Sequence, residues 1–105
     1  MDIKNISEKE FSCTVEKAQK PVLVQFFAAW CGPCKSLAQE LDALVKESLL
    51  LDVVRVNVDE NNRLAERFAV STVPCMMLFK NGEAIKTING FRTKSQIKKM
   101  LDEHI

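Results

Sequence analysis

The sequence predicts an α/β fold in one domain spanning residues 1–105: a central mixed sheet of four to five strands, flanked on both faces by about four helices. Three observations carry this expectation. Apolar runs of strand length alternate with segments of helical periodicity in the order (β)αβαβαββα, an order most simply met by one sheet covered on both sides. Asn81-Gly82 lies between two strand-like runs, a strong two-residue hairpin signal. Ser7 with Glu10, and Thr93 with Gln96, have capping-box spacing ahead of helical patterns.

The elements follow in order. Met1 to Ile6 alternates polar and apolar residues, and no apolar h-region of a secretory signal is present there. Phe11, Val15 and Ala18 recur at helical spacing behind the Ser7 cap, and Pro21 ends that helix. Val22-Leu23-Val24-Gln25-Phe26-Phe27-Ala28 suits a strand covered on both faces. Leu37, Leu41, Leu44 and Val45 step by three and four, predicting an amphipathic helix to about Glu47. Val54, Val56 and Val58 alternate with Arg55 and Asn57 along a third strand. Leu64, Ala65 and Phe68 suggest a short helix. Cys75 to Phe79 and Ala84 to Asn89 form the two arms of the hairpin. Gly90 breaks the pattern, and Ile97, Met100 and Leu101 line a final helix.

Composition excludes several function classes. Of the 105 residues 47% are hydrophobic and 28% charged, too apolar for a disordered chain. A formal charge of +1 gives no overall electrostatic footprint for nucleic acid or an acidic membrane. No apolar run approaches the roughly 20 residues of a membrane-spanning helix. A cytoplasmic location is therefore the expectation. Thiols there are mostly reduced, so cysteines tend to be catalytic, metal-binding or buried.

Cys31 and Cys34 form a C-x-x-C pair, for which three roles are open. A tetrahedral metal site needs four ligands, usually from two such pairs or from two histidines. Here there is no second pair, and His104 is the one histidine. No metal is expected. A structural staple closing so short a loop restricts the unfolded chain by only about 2 kcal/mol. A redox couple has a positive mechanism. The motif falls between a buried strand and a helix N-terminus, where unpaired N–H groups and the helix dipole stabilise a thiolate. Pro33 fits the first turn, Gly32 leaves room for an approaching backbone, and Lys35 adds a positive charge.

Trp30-Cys31-Gly32-Pro33-Cys34-Lys35 after an apolar strand, Val73-Pro74 some forty residues on, then Phe79-Lys80-Asn81-Gly82 and Gly90, together resemble the thioredoxin family from about Phe11 to Leu101. The resemblance implies a thioredoxin fold and a protein-disulfide reductase. Its only redox group would be the Cys31–Cys34 disulfide, with no bound cofactor. The partners implied are protein disulfides as substrates and an NADPH-dependent flavoprotein reductase as donor, with the chain itself a monomer. Cys31, read as the more exposed thiol, would be the nucleophile and Cys34 the resolving thiol. Pro74 matches the family's cis-proline, and Trp30, Val73, Pro74 and Gly90 would form the substrate-docking surface. For Trp30 and Val73 a core position is the alternative, and for Gly90 a plain strand end.

Two positions depart from the family pattern. Gln25 stands where the family typically has a buried aspartate credited with moving the proton of the second cysteine. An amide cannot take up a proton at neutral pH. Arg55 matches the family's nearby lysine and stays charged. A Gln25–Arg55 hydrogen-bonding pair is thus expected, with a more acidic Cys31 and slower resolution by Cys34. Gln25 as no more than a satisfied buried polar group is the alternative. Cys75 follows Pro74 where a hydroxyl residue is usual; it reads either as a small buried side chain or as a third thiol near the site. Cys13 lies off the apolar stripe and reads as an exposed free thiol. A different class of function, a binding or assembly module with little turnover, would use the docking surface without needing two thiols.

Overall fold

Five strands form one sheet in the computed structural model, which describes residues 3–47 and 51–105. Chain order gives β1 (Lys4–Asn5), α1 (Glu8–Phe11), β2 (Val22–Phe27), α2 (Gly32–Val45), β3 (Asp52–Asn57), α3 (Asn62–Arg67), β4 (Cys75–Lys80), β5 (Glu83–Asn89) and α4 (Lys94–His104). The strand order across the sheet is β1-β3-β2-β4-β5. β1, β3 and β2 run parallel, whereas β4 is antiparallel to both β2 and β5. The mixed α/β fold is the one expected. Among the described residues no helix is long and apolar enough to cross a membrane.

Local chemistry accounts for most boundaries. Both capping boxes form, Ser7 with Glu10 and Thr93 with Gln96. Asn81 and Gly82 both take positive φ, +53° and +82°, as a tight hairpin turn with the right-handed twist of its strands requires. A Cβ on Gly82 would lie 2.7 Å from the backbone oxygen of Glu16, so glycine is needed there twice over. The first helix departs from the simple expectation. After Phe11 it widens into a π-helical segment, Ser12–Glu16, closed by a bond from Lys17 N–H to the Ser12 carbonyl.

The period-two alternation of the strands divides the core. Val22, Val24 and Phe26 of β2, with Cys75, Met77 and Phe79 of β4, face Phe11, Val15 and Leu64. Leu23, Met76 and Leu78 face Leu37, Leu41 and Leu44 of α2 and Ile97 of α4. On the first side Phe11, Phe68 and Phe79 meet at centroid distances of 5.3–5.5 Å, two of the pairs edge to face. Gln25, one residue after Val24, is directed by the same alternation to the α2 side, under the start of that helix.

Candidate active site

β2 ends at Phe27, and a turn closed by Cys31 N–H on the Ala28 carbonyl (3.1 Å) delivers the chain to α2. Cys31 is the N-cap, with extended backbone (φ −86°, ψ 109°), and Pro33 sits in the first turn, where its missing N–H removes no helical bond. Cys31 and Cys34 are joined as a disulfide with their Cα atoms 5.3 Å apart. The Cys34 N–H donates to Cys31 Sγ at 3.2 Å. One of the unpaired donors at the helix N-terminus therefore points at this sulfur, where it favours negative charge. In this oxidised form both cysteines are buried, so the expected difference in exposure between Cys31 and Cys34 is slight. Cys31 is 3% exposed and Cys34 2%. Both sit in a small apolar collar with Ala28, Phe27, Val58 and Val73.

Around that collar the chain stays open. Trp30 is 74% exposed, so the core alternative for it fails. Its indole N–H donates to Asp59 Oδ2 at 3.0 Å, which holds the ring at the rim. A Cβ on Gly32 would meet nothing within 4 Å. The Val73–Pro74 peptide bond is cis. Val73 is half-buried against the cysteine collar, and Gly90 N–H donates to the Pro74 carbonyl at 2.9 Å. With φ +92°, Gly90 is a true left-handed position and more than a strand end. Val73, Pro74 and Gly90 are thus linked beside the disulfide, with Trp30 next to it in the chain.

Beneath the disulfide lies a continuous polar network. Gln25 is fully buried. Its Nε2 donates to the Cys34 carbonyl at 3.0 Å, and its Oε1 accepts from Arg55 Nε at 2.8 Å. Arg55 Nη2 donates to the Ala38 carbonyl (2.9 Å) and to Asp42 Oδ1 (3.0 Å). Residues 34, 38 and 42 are spaced by four, so they form one stripe of α2 facing β2 and β3. The expected Gln25–Arg55 pair is present, and together with the Cys34 carbonyl it gives both polar atoms of the Gln25 amide a partner. A cavity of about 220 Å³, bordered by Asn5, Gln25, Cys34, Lys35, Ala38 and Arg55, opens beside it.

The other two cysteines lie apart from this arrangement. Cys75 pairs across the sheet with Phe26, and its side chain enters the Phe11–Phe79 face of the core, away from α2. It is buried, and burial pushes its thiol up from the ordinary value. The small-buried-residue reading fits this position; a third thiol beside the disulfide does not. Cys13 is exposed and unpaired, as expected. Among the described residues no group of three or more His, Cys, Asp or Glu side chains is placed to share a metal ion.

Asp42, Ala38, Asn5 and Asp59 belong to the site and were not singled out from the sequence. The four-residue spacing of Cys34, Ala38 and Asp42 was the available signal for two of them. Nothing local marks Asn5 or Asp59, which reach the site only through the sheet pairing and the β3–α3 turn.

Comparison with known proteins matches residues 2–103 to the family model described as Thioredoxin. The chain is 39% identical to a thioredoxin of Pseudomonas aeruginosa, covering 98% of this chain and 96% of that protein. It is 36% identical to a thioredoxin of Streptomyces clavuligerus (90% and 89%) and 34% identical to one of Haemophilus influenzae (99% and 98%).

Proposed function

This chain belongs to the thioredoxin family and is a thiol–disulfide oxidoreductase, and from that premise we propose that Cys31 attacks protein disulfides and Cys34 resolves the product. The Cys31 thiolate attacks one substrate sulfur; the substrate S–S bond breaks, a Cys31–substrate bond forms, and the first substrate thiolate leaves and takes up a proton. Cys34 loses its proton and attacks Cys31 Sγ. The second substrate thiolate leaves, and the Cys31–Cys34 disulfide closes. The substrate gains two electrons and the cysteine pair loses them; because Cys31 enters as a thiolate, the pair releases one proton, from Cys34, and the second proton that the two substrate thiolates take up comes from water. The observation that carries this reading is the Cys34 N–H aimed at Cys31 Sγ at 3.2 Å, at a helix start rimmed by exposed Trp30 and by Val73–Pro74. Trp30, Val73, Pro74 and Gly90 dock an extended substrate segment around Cys31. Gly32 leaves room for its backbone, Pro33 fixes the helix start, and Lys35 adds positive charge nearby.

Gln25 and Arg55 tune the second step. Neither takes up a proton at neutral pH, so the Cys34 proton passes to water instead. The cavity beside Cys34, at about 220 Å³, has room for that water. Compared with an aspartate at position 25, this arrangement lowers the Cys31 pKa by removing a negative neighbour and slows resolution by removing a base. The disulfide is the only redox group, and an NADPH-dependent flavoprotein reductase re-reduces it. The protein works as a monomer in the cytoplasm, where the exposed Cys13 thiol stays reduced.

The test is NADPH-coupled turnover with such a reductase and a protein disulfide. Cys31→Ser abolishes turnover, and Cys34→Ser accumulates a mixed disulfide through Cys31. Full turnover by either variant refutes the assignment. Partner binding with no turnover in the native protein favours the assembly-module reading instead.

A further inference from the structure

The formal charge of +1 hides an uneven distribution. Between the outer strand β5 and helix α4 runs a groove of about 670 Å³. Ile88 and Met100 supply its apolar floor, Lys86, Arg92 and Lys99 its cations, and Glu103 its one carboxylate. Among the described residues none of the three cations is in an ion pair; the pairs formed are Arg55–Asp42, Arg67–Glu16 and the contacts of Lys94 and Lys98 with Glu47. Arg92 Nη1 donates to the Phe91 carbonyl at 2.8 Å, a neutral partner that leaves its charge uncompensated. The groove begins near the docking surface: Gly90 is bonded to Pro74, and a Cβ built on Gly90 would lie 3.7 Å from Arg92 Nη1 at the groove.

We propose that this groove takes an acidic, extended segment of the substrate protein flanking its disulfide, so that the enzyme favours disulfides with carboxylates a few residues away. The proposal rests on the reductase reading above and names the substrate class. Within α4, Lys94 to Glu103 is nine residue steps, about 14 Å along the helix, and an extended chain at about 3.3 Å per residue covers that length with about four residues. Lys86 stands on β5, Arg92 on the β5–α4 connection and Lys99 within α4, so the cations come from three segments of the groove, which suits a run of side-chain carboxylates better than a single small anion. No Phe, Tyr or Trp lines the groove; its one aromatic ring is His104, in the last turn of α4.

The experiment uses two disulfide peptides that differ only in a four-residue flank, all Glu or all Gln, and reads kcat/KM as their ratio. Two or three ion pairs, at exposed Lys86 and Lys99 and half-exposed Arg92, predict about a fivefold preference for the Glu peptide at low salt. That preference falls to about one in 0.5 M NaCl and in the Lys86→Gln/Lys99→Gln double variant. Equal rates at low salt, or a preference that survives the double substitution, overturn the proposal. If neither peptide is reduced, the reductase reading fails by itself. The groove is then decided by titrating the Glu peptide into the oxidised protein: salt-sensitive NMR shifts at Ile88 and Met100 uphold it, and their absence overturns it. Oligonucleotide binding at these residues without peptide binding also overturns it.

Discussion

Replacing Gln25 by aspartate probes stability and chemistry together. Gln25 is fully buried, gives its amide hydrogen to the Cys34 carbonyl and receives one from Arg55. An aspartate is shorter by about one C–C bond, roughly 1.5 Å, and its ionised form cannot donate at all. The lost bond to Cys34 costs about 1 kcal/mol at any pH. Burial raises the introduced carboxyl's pKa and Arg55 opposes the rise. For a net rise of about two units above the unfolded value near 3.9, the ionised form adds about 2.7 kcal/mol of destabilisation. The sign follows from proton binding: the folded state holds the proton more tightly, so this part is absent below about pH 4, opens towards pH 6 and is constant above. Urea denaturation should therefore show a deficit of about 1 kcal/mol at pH 4 and about 4 kcal/mol at pH 7. Single-turnover reduction followed by stopped flow should accelerate at pH 7 by about tenfold or more, because a base now faces Cys34. The midpoint of Cys31 alkylation should move to higher pH. A deficit flat between pH 4 and 7, together with an unchanged single-turnover rate, would refute the reasoning.

Arg55→Met strips the donor from buried Gln25 Oε1 and should cost about 1–3 kcal/mol in chemical denaturation, with Arg55→Lys recovering only part because an ammonium lacks the forked geometry that reaches Gln25, Ala38 and Asp42 together. Gly82→Ala should lower thermal stability by at least about 1 kcal/mol, since it adds a 2.7 Å backbone clash to a positive φ; an unchanged melting temperature would contradict the turn geometry. Trp30→Ala should leave the melt within about 0.5 kcal/mol while raising KM for protein disulfides, because an exposed ring contributes little to folding. In the native protein iodoacetamide should label Cys13 promptly and Cys75 only on unfolding; mass spectrometry of tryptic peptides reads both.

Local and near-local features were legible in the chain itself. The β2 apolar run, the Leu37–Leu41–Leu44 stripe, the two capping boxes and Asn81-Gly82 each depend on residues within a few positions, so their physics is complete in the sequence. The Cys31–Cys34 pair at a helix start was legible for the same reason, as was a Gln25–Arg55 pair once the resemblance aligned the two strands. The remainder depended on which distant surfaces meet. Trp30 lies on an apolar-looking segment, and only its placement at the rim beside Asp59 shows it exposed. Cys75 follows Pro74 directly, yet the pleat of β4 turns its thiol to the opposite face from α2. Asp42 and Ala38 join Gln25 only because α2 packs over β2 and β3. Lys86, Arg92 and Lys99 are scattered among fifteen basic residues that nearly cancel fourteen acidic ones. A net charge sums over the chain and carries no position; packing α4 beside β5 gathers those three cations along one groove.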